Sequence, residues 1–275
     1  MLERYGIEYS PDGKLQKLDA QRAFEVVRED ISGLFQIQTH GAVVEFTSPE
    51  GYAQRLRDLL AARNITDQAD IDATVKRIGE ATEIGGVTAY CGDLDLALEW
   101  RPRYIIFLSN ASKITHLPAI LAEEVTHGEH EAYMIDDVGM SYADYQTSFH
   151  AISKEFLGYL GRKRVIEIIG LEGRYGTTLD ASRDLTENEW SHFIGYWIAD
   201  DLLDKGKKLP YRELFHATSE EEMWHILKTA MGDDFNFTLN FAENLNYEKL
   251  QEALNSIIRR NKAADYIKLN FRQIN

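Results

Sequence analysis

The sequence predicts an α+β protein with a small N-terminal mixed sheet and a helical C-terminal half, and three observations support this class. Segments rich in strand-forming residues lie before residue 110, whereas helical periodicity dominates after residue 142. Between them, residues 117–134 form a helical segment that concentrates Glu and His side chains. We therefore expect two halves: residues 1–137, with the sheet and the charged helix, and residues 138–275, mostly helical.

The elements of the N-terminal half follow from its changing periodicity. Helical periodicity predicts a first helix over residues 19–34, and strand-forming residues predict one or two strands over residues 34–47, meeting near Gly41. Ser48 and Pro49 are a typical cap and first-turn proline for the next helix. The other elements expected in this half are helices at residues 52–63 and 70–82 and strands at residues 85–92 and 103–109.

The C-terminal half carries helical periodicity with few breaks. Its predicted helices span residues 142–161, 165–169, 187–203, 220–231 and 248–260. No repeat of fixed period and no low-complexity segment occurs in the sequence. A cleft between a mixed half and a helical half is a common place for a site, so we expect function near their junction.

The composition is typical of a globular protein and limits its partners. With 275 residues, 44% of them hydrophobic, the chain can bury one large core or two moderate ones. A net charge of −15 disfavours nucleic acid and membrane surfaces as partners, because both attract clustered Lys and Arg. The single Cys91 permits neither an internal disulfide nor a thiolate zinc site, and no apolar run resembles a secretion signal or a membrane span. We therefore expect a cytoplasmic protein.

The segment at residues 119–133 is the strongest functional signal, because potential metal ligands share one side of the predicted helix. At about 100° per residue, they fall within roughly a third of the helix circumference. These ligands are Glu123, Glu124, His127, His130 and Glu131. Divalent cations require such carboxylate oxygens and imidazole nitrogens, and no Lys or Arg occurs in residues 114–149. An ordinary amphipathic helix with a hydrated acidic face is the simpler alternative.

A strand, a short loop and a helix containing Glu123-Glu124-Val125-Thr126-His127 follow one another at residues 103–133, and this order resembles the zincin metallopeptidases. In that family an edge strand precedes an active-site helix with the pattern His-Glu-x-x-His. The resemblance covers about residues 35–160 and departs from the family at the first ligand, where Glu123 replaces His. It implies that Glu123 and His127 bind zinc and that Glu124 is the general base for a bound water.

Other residues extend the predicted ligand set. His130 lies one turn beyond His127, so Glu123, His127 and His130 form a compact set on one face of the helix. In the following helix, Glu155 resembles the distal Glu of the gluzincin branch of the family, and His150 is the alternative ligand. Under this hypothesis the protein is a zinc-dependent hydrolase whose substrate is a peptide or another small amide.

Four Glu-x-x-His pairs support a different hypothesis. They are Glu124 and His127, Glu189 and His192, Glu213 and His216, and Glu222 and His225. A ferritin-like oxidase binds two Fe or Mn ions with two such pairs and two single carboxylates, and the spacing of Glu124, Glu155 and Glu189 suits successive antiparallel helices. A non-catalytic acidic interaction module is the third hypothesis. We expect structural roles for His40 and His192.

Overall fold

Helices account for most of the residues that a computed structural model of the chain describes. The described residues are 2–9, 15–47, 54, 57–58, 69, 86–90, 104–109, 117–149, 151–170, 187–204 and 208–232. The helices are α1 (Ala20–Phe35), α2 (Leu117–Ala132), α3 (Tyr142–Ser148), α4 (Ala151–Ile169), α5 (Glu187–Asp204), α6 (Tyr211–His216) and α7 (Glu220–Met231). The strands are β1 (Ile7–Tyr9), β2 (Leu15–Leu18), β3 (Ala42–Thr47), β4 (Gly86–Tyr90) and β5 (Tyr104–Ser109). The helices predicted at residues 52–63, 70–82 and 248–260 fall largely or wholly outside the described residues.

The internal contacts of the chain divide it into two units. The first unit contains Met1–Tyr145 and Leu160–Gly170, and the second contains Gln146–Tyr159 and Leu171–Asn275. Helix α4 contributes its first residues to the second unit and its last residues to the first. The division predicted after residue 137 stays a prediction. None of the described helices has the length and apolar content that a membrane span needs.

The first unit contains two small sheets. Strands β1 and β2 pair antiparallel, and β3, β5 and β4 form a three-stranded mixed sheet with β5 in the middle. Strand β3 is parallel to β5 and pairs Ala42 with Tyr104, while β4 is antiparallel to β5 and pairs Tyr90 with Tyr104. The strands predicted at residues 85–92 and 103–109 are confirmed as β4 and β5, with slightly shorter bounds. Among the described strands, β5 is central, so the strand before α2 does not occupy the edge position that the zincin resemblance implied.

Helix α1 forms because its start, its apolar face and its end are all specified by the sequence. Asp19 caps the first turn by accepting the backbone N–H of Arg22 at 3.0 Å. Apolar side chains recur every three or four residues and are buried, the larger ones each contributing about 1.5–3 kcal/mol. They are Ala23, Phe24, Val27, Ile31 and Phe35. The helix ends where Gln36 adopts a left-handed φ of 55°. The region predicted to contain one or two strands, residues 34–47, therefore forms one strand, which begins only at Ala42.

Helix α2 confirms the charged helix predicted at residues 117–134. It begins with Leu117 and Pro118, where proline suits the first turn because the N–H that it lacks would have no helical partner there. Gly128 lets an aromatic side chain approach, because a Cβ at this position would lie 2.6 Å from Cγ of Tyr104. A π-helical turn, Tyr133–Asp137, follows α2 directly and extends beyond the predicted end of the helix.

The helices predicted between residues 142 and 231 are confirmed in type and corrected in one place. Instead of helices at residues 142–161 and 165–169, the chain forms α3, which ends at Ser148, and α4, which runs without interruption from Ala151 to Ile169. Phe149 at the break is buried like the apolar residues on either side, so periodicity could not locate the break. Helices α5 and α7 match their predictions, and the short α6 was not predicted.

The second unit has an aromatic core. Phe156 and Trp224 pack with their ring centroids 5.8 Å apart, and Trp224 donates its indole N–H to Glu220 at 2.8 Å. The backbones of α4 and α5 approach closely at Gly195, because a Cβ there would lie 2.6 Å from the backbone nitrogen of Phe156. This close approach determines which side chains of the two helices can meet.

Candidate functional site

The predicted ligands on α2 are largely buried instead of being displayed to solvent. Glu123 and His130 are only 6% and 2% exposed, and Glu124 and His127 are half-buried. The alternative of a hydrated acidic helix face is therefore wrong for Glu123 and His130. Burial of carboxylates and imidazoles costs free energy unless other groups compensate, so the contacts of each side chain indicate its role.

Glu123 forms an ion pair with Arg162 of α4, with 2.8 Å between Oε2 and Nη1. The two helices can approach here because Gly161 has no side chain. A Cβ at Gly161 would lie 2.8 Å from Cδ1 of Ile31 and would overlap the hydroxyl of Thr126. The guanidinium fixes one oxygen of Glu123, and a carboxylate oriented in this way is suited to binding a metal through its other oxygen.

Glu124 and His127 lie one helical turn apart, with 4.0 Å between the carboxylate oxygen and Nδ1. This distance is too long for a hydrogen bond but allows an ion pair when the imidazole is protonated. Both side chains keep some contact with water, at 12% and 20% exposed. A general base for hydrolysis needs such access to water.

His130 contacts another aromatic side chain of the first unit. Its Nδ1 lies 3.2 Å from the hydroxyl of Tyr145, and the two ring centroids are 5.7 Å apart. Tyr145 is itself buried, so the contact fixes the orientation of the imidazole. His150, the alternative to Glu155 in the predicted ligand set, lies outside the described residues.

In the second unit, Glu155 of α4 and His192 of α5 form a carboxylate–imidazole pair, with 3.2 Å between Oε2 and Nε2. Gly195 allows this contact, because a Cβ there would lie 2.8 Å from the Cβ of Glu155. Tyr196 meets the ring of His192 edge-on at 5.9 Å between centroids and stacks on Tyr159 at 4.3 Å. Glu155 is buried and the His192 side chain is 30% exposed, so the pair can be reached from solvent through the imidazole.

Three potential ligands among the described residues could hold a metal ion: Glu123, Glu155 and His192. Two carboxylates and one imidazole are a donor set that zinc, manganese and ferrous iron accept. Of the predicted ligands, Glu123 and Glu155 belong to this group, whereas His127 and His130 do not. The sequence led us to expect a structural role for His192 and presented it as a ligand only within a Glu-x-x-His pair. Its contact with Glu155 was not foreseen, because it joins segments that are distant in the chain.

The most deeply buried carboxylate of α2 is one that the sequence prediction did not include. Glu129 is fully buried and accepts hydrogen bonds from the hydroxyl of Tyr104 at 2.7 Å and from the backbone N–H of His40 at 2.8 Å. Burial raises the pKa of Tyr104 well above its ordinary value, so the phenol stays protonated and donates. Arg28 of α1 adds a guanidinium, with 3.4 Å between Nε and Oε1. Glu129 falls on the apolar side of the α2 helical wheel, and a carboxylate there is the signal that could have identified it.

His40 connects this buried carboxylate to the surface. Its Nδ1 lies 2.8 Å from Oε2 of Glu129, and its Nε2 lies 3.3 Å from Oδ2 of Asp137. Arg28 donates a hydrogen bond to the backbone carbonyl of His40. The hydrogen bond to Glu129 raises the pKa of His40. We refer to Arg28, His40, Tyr104, Glu129 and Asp137 as the Glu129 cluster.

In two of the four Glu-x-x-His pairs, Glu213–His216 and Glu222–His225, one member forms hydrogen bonds with residues close to it in the sequence. Glu222 accepts hydrogen bonds from the backbone N–H and the hydroxyl of Thr218, at 2.7 and 2.8 Å, which anchors the start of α7 and lowers the pKa of Glu222. His216 has its Nδ1 2.7 Å from the backbone carbonyl of Arg212 in the same helix. These contacts favour local structural roles for both pairs, and two pairs remain for a two-metal centre.

Comparisons with protein families, with curated proteins and with solved structures found nothing that matches this chain.

Proposed function

We propose that the protein is a metal-dependent hydrolase, with zinc as the metal and a peptide or another small amide as the substrate. The observation that carries the proposal is the contact between Glu155 and His192, at 3.2 Å. It joins a carboxylate and an imidazole from different helices, at a place where only glycine at position 195 allows the approach. Glu123 completes the proposed ligand set.

The proposed ligands suit zinc in number and type. Catalytic zinc sites use three protein ligands, often a mixture of imidazole and carboxylate, and keep a fourth position open. Further contacts orient the ligands, because Arg162 binds Glu123 and Tyr196 packs against the ring of His192. When bound, zinc would polarise the substrate carbonyl and acidify a water molecule.

Glu124 is the proposed general base, as the zincin resemblance implies. It follows Glu123 directly in the sequence, and its carboxylate is half-buried and 4.0 Å from His127. A carboxylate in this position accepts the proton of the attacking water and returns it to the leaving amine. His127 and His130 stay alternative ligands in this proposal.

A wider assignment accompanies the proposed activity. We assign the protein to the α+β class, with a small mixed sheet before the charged helix α2, and to the cytoplasm. The net charge of −15 and the single Cys91 support a partner that is neither nucleic acid nor membrane and a reducing compartment.

A dinuclear iron or manganese oxidase is the second candidate. The observation that favours it is that the imidazole in contact with Glu155 belongs to the pair Glu189-x-x-His192. Ferritin-like oxidases combine such pairs with single carboxylates. The two candidates differ in metal identity and in the number of metal ions per chain, so metal analysis separates them.

Metal analysis of the purified chain tests the proposal. We expect about one zinc per chain, as in mononuclear hydrolases. Glu155→Gln and His192→Gln should each weaken zinc binding by more than about 100-fold, because loss of a ligand exceeds the 10- to 100-fold effect of losing a supporting contact. The matched controls are Glu221→Gln and His225→Gln, which change exposed side chains on α7 and should leave zinc binding unchanged.

Hydrolysis assays separate the general base from the ligands. Glu124→Gln should retain zinc but hydrolyse a mixed peptide substrate at least about 100-fold more slowly, the usual contribution of a general base. Two irons or manganese ions per chain would favour the oxidase. A chain that binds none of these metals after reconstitution would refute both candidates and favour the acidic interaction module.

A further inference from the structure

We propose that His40 is a protonation-dependent clasp that fastens the π-helical turn Tyr133–Asp137 to the buried carboxylate of Glu129. The imidazole lies between two carboxylates, with Nδ1 2.8 Å from Oε2 of Glu129 and Nε2 3.3 Å from Oδ2 of Asp137. Ionised carboxylates only accept hydrogen bonds, so both contacts are favourable only when both ring nitrogens carry protons. The neutral imidazole can donate to one carboxylate and presents a lone pair to the other.

The charges around His40 favour its protonated form. The groups that face it come from four elements of the first unit. They are Glu129 from α2, Asp136 and Asp137 from the π-helical turn, Arg28 from α1 and Tyr104 from β5. Three of these groups are carboxylates and one is a guanidinium, while the phenol of Tyr104 is neutral. The hydrogen bond to Glu129 raises the pKa of His40, and the two aspartates raise it further.

The two ends of the clasp are not equivalent. Glu129 is fully buried and also accepts from Tyr104 and from the backbone N–H of His40, so it keeps donors when the imidazole loses a proton. Asp137 has a side chain that is 55% exposed and can exchange the imidazole for water. Deprotonation of His40 therefore releases the Asp137 end, while the end at Glu129 stays in place.

Release of Asp137 acts on the backbone that follows α2. This backbone is closed by hydrogen bonds from the N–H of Val138 to the carbonyl of Tyr133, at 3.0 Å, and from the N–H of Met140 to the carbonyl of Met134, at 2.9 Å. Both amides close the turn that Asp137 terminates, so they report whether the clasp is shut. Amide exchange of Val138 and Met140 thus measures opening directly.

The direction of the pH effect follows from the raised pKa of His40. A group whose pKa is higher in the folded than in the unfolded protein stabilises the fold fully below the unfolded value, about 6.5 for His. This stabilisation is lost as the pH rises through the folded-state pKa. The clasp is therefore shut in mildly acidic solution and opens as the pH rises above the pKa of His40 in the folded protein.

An imidazole titration by nuclear magnetic resonance tests the clasp in the full-length chain. We expect the midpoint of His40 to lie above 6.5, the ordinary value for His, and Asp137→Asn to lower it by about half a pH unit, the size expected for a partly exposed ion pair. Glu29→Gln is the control, because it removes an exposed carboxylate of α1 that does not face His40 and should leave the midpoint unchanged. An equal midpoint in the wild type and Asp137→Asn would overturn the proposal.

Hydrogen exchange provides the second measurement. After correction for the intrinsic pH dependence, protection of Val138 and Met140 should fall about two- to five-fold as the wild type passes through the His40 midpoint. In Asp137→Asn the protection should already be low and independent of pH. Wild-type protection that is equal on both sides of the midpoint would also overturn the clasp. None of the clasp residues belongs to the proposed metal ligands, so these results are independent of the hydrolase proposal.

Discussion

Two buried glutamates, each in contact with a histidine, lie in different environments in the two units. Glu129 contacts His40 at 2.8 Å and accepts further hydrogen bonds from fixed donors, including the phenol of Tyr104. Glu155 contacts His192 at 3.2 Å, and that imidazole is 30% exposed. A carboxylate surrounded by fixed donors is compensated for its burial by the protein itself, which is typical of a structural anion. A carboxylate beside a solvent-accessible imidazole has the chemistry to share an added cation.

Both environments depend on a glycine within a helix. Gly128 makes room for the ring of Tyr104, and Gly195 makes room for the backbone around Glu155. Glycine within a helix costs about 1 kcal/mol relative to alanine, so each position needs a compensating contact. The compensation at Gly128 is a hydrogen-bonded core. At Gly195 it is the approach of two side chains that could serve as metal ligands.

The largest expected effect is the loss of the Glu129 carboxylate. Glu129→Gln should lower the free energy of unfolding by about 3–5 kcal/mol, because the half-buried Arg28 and the buried phenol of Tyr104 would lose their charged acceptor. Urea denaturation followed by circular dichroism measures this change. Glu29→Gln, at an exposed position of α1, should change stability by less than about 0.5 kcal/mol. If Glu129→Gln and Glu29→Gln change the free energy of unfolding equally, Glu129 is not a structural anion.

The glycine of the same cluster gives the next largest effect. Gly128→Ala should destabilise the protein by about 1–3 kcal/mol, because its Cβ would overlap the ring of Tyr104 and displace the phenol from Glu129. Gly33→Ala is the matched control on α1, where a Cβ meets nothing within 4 Å. There the helix preference of alanine should stabilise the protein by up to about 1 kcal/mol. Opposite signs for the two substitutions would confirm the close approach, and stabilisation by both would contradict it.

The sequence predicted the elements of this structure better than the contacts between them. Helix α1 and strand β5 were predictable because caps, periodicity and strand-forming residues are local signals. The i, i+4 spacing of Glu123 and His127 likewise identified α2 as chemically unusual. The contact between Glu155 and His192 could not be predicted, because it depends on how closely two helices approach at a glycine.

Glu129 illustrates the same limit more sharply. Its donors come from α1, from the segment before β3 and from β5, all far from α2 in the sequence. A helical wheel places it among apolar residues but contains no information about these donors. The break between α3 and α4 was missed for a related reason, since burial of Phe149 continues the apolar pattern across it. Local patterns predict which face of a helix is buried. Only the tertiary structure determines which donors bind a polar group on that face.

The smallest expected effect on stability separates the two glutamates directly. In chelator-treated protein, Glu155→Gln should change the free energy of unfolding by less than about 1 kcal/mol, because the amide keeps the shape of the side chain and His192 can be hydrated where it is exposed. Urea denaturation beside Glu129→Gln gives the comparison under identical conditions.

The response to zinc should distinguish the two variants in the opposite way, because zinc should stabilise Glu129→Gln but not Glu155→Gln. At a concentration about 100 times the dissociation constant, zinc bound at the proposed site should stabilise the wild type by about 2.7 kcal/mol, the gain expected for a ligand that binds only the folded chain. Glu155→Gln should not be stabilised by zinc. Glu129→Gln, which keeps the proposed metal ligands, should still be stabilised by zinc. A loss of several kcal/mol in the metal-free Glu155→Gln variant, with no response to zinc in the wild type, would make Glu155 a second structural anion and remove the distinction between the two units.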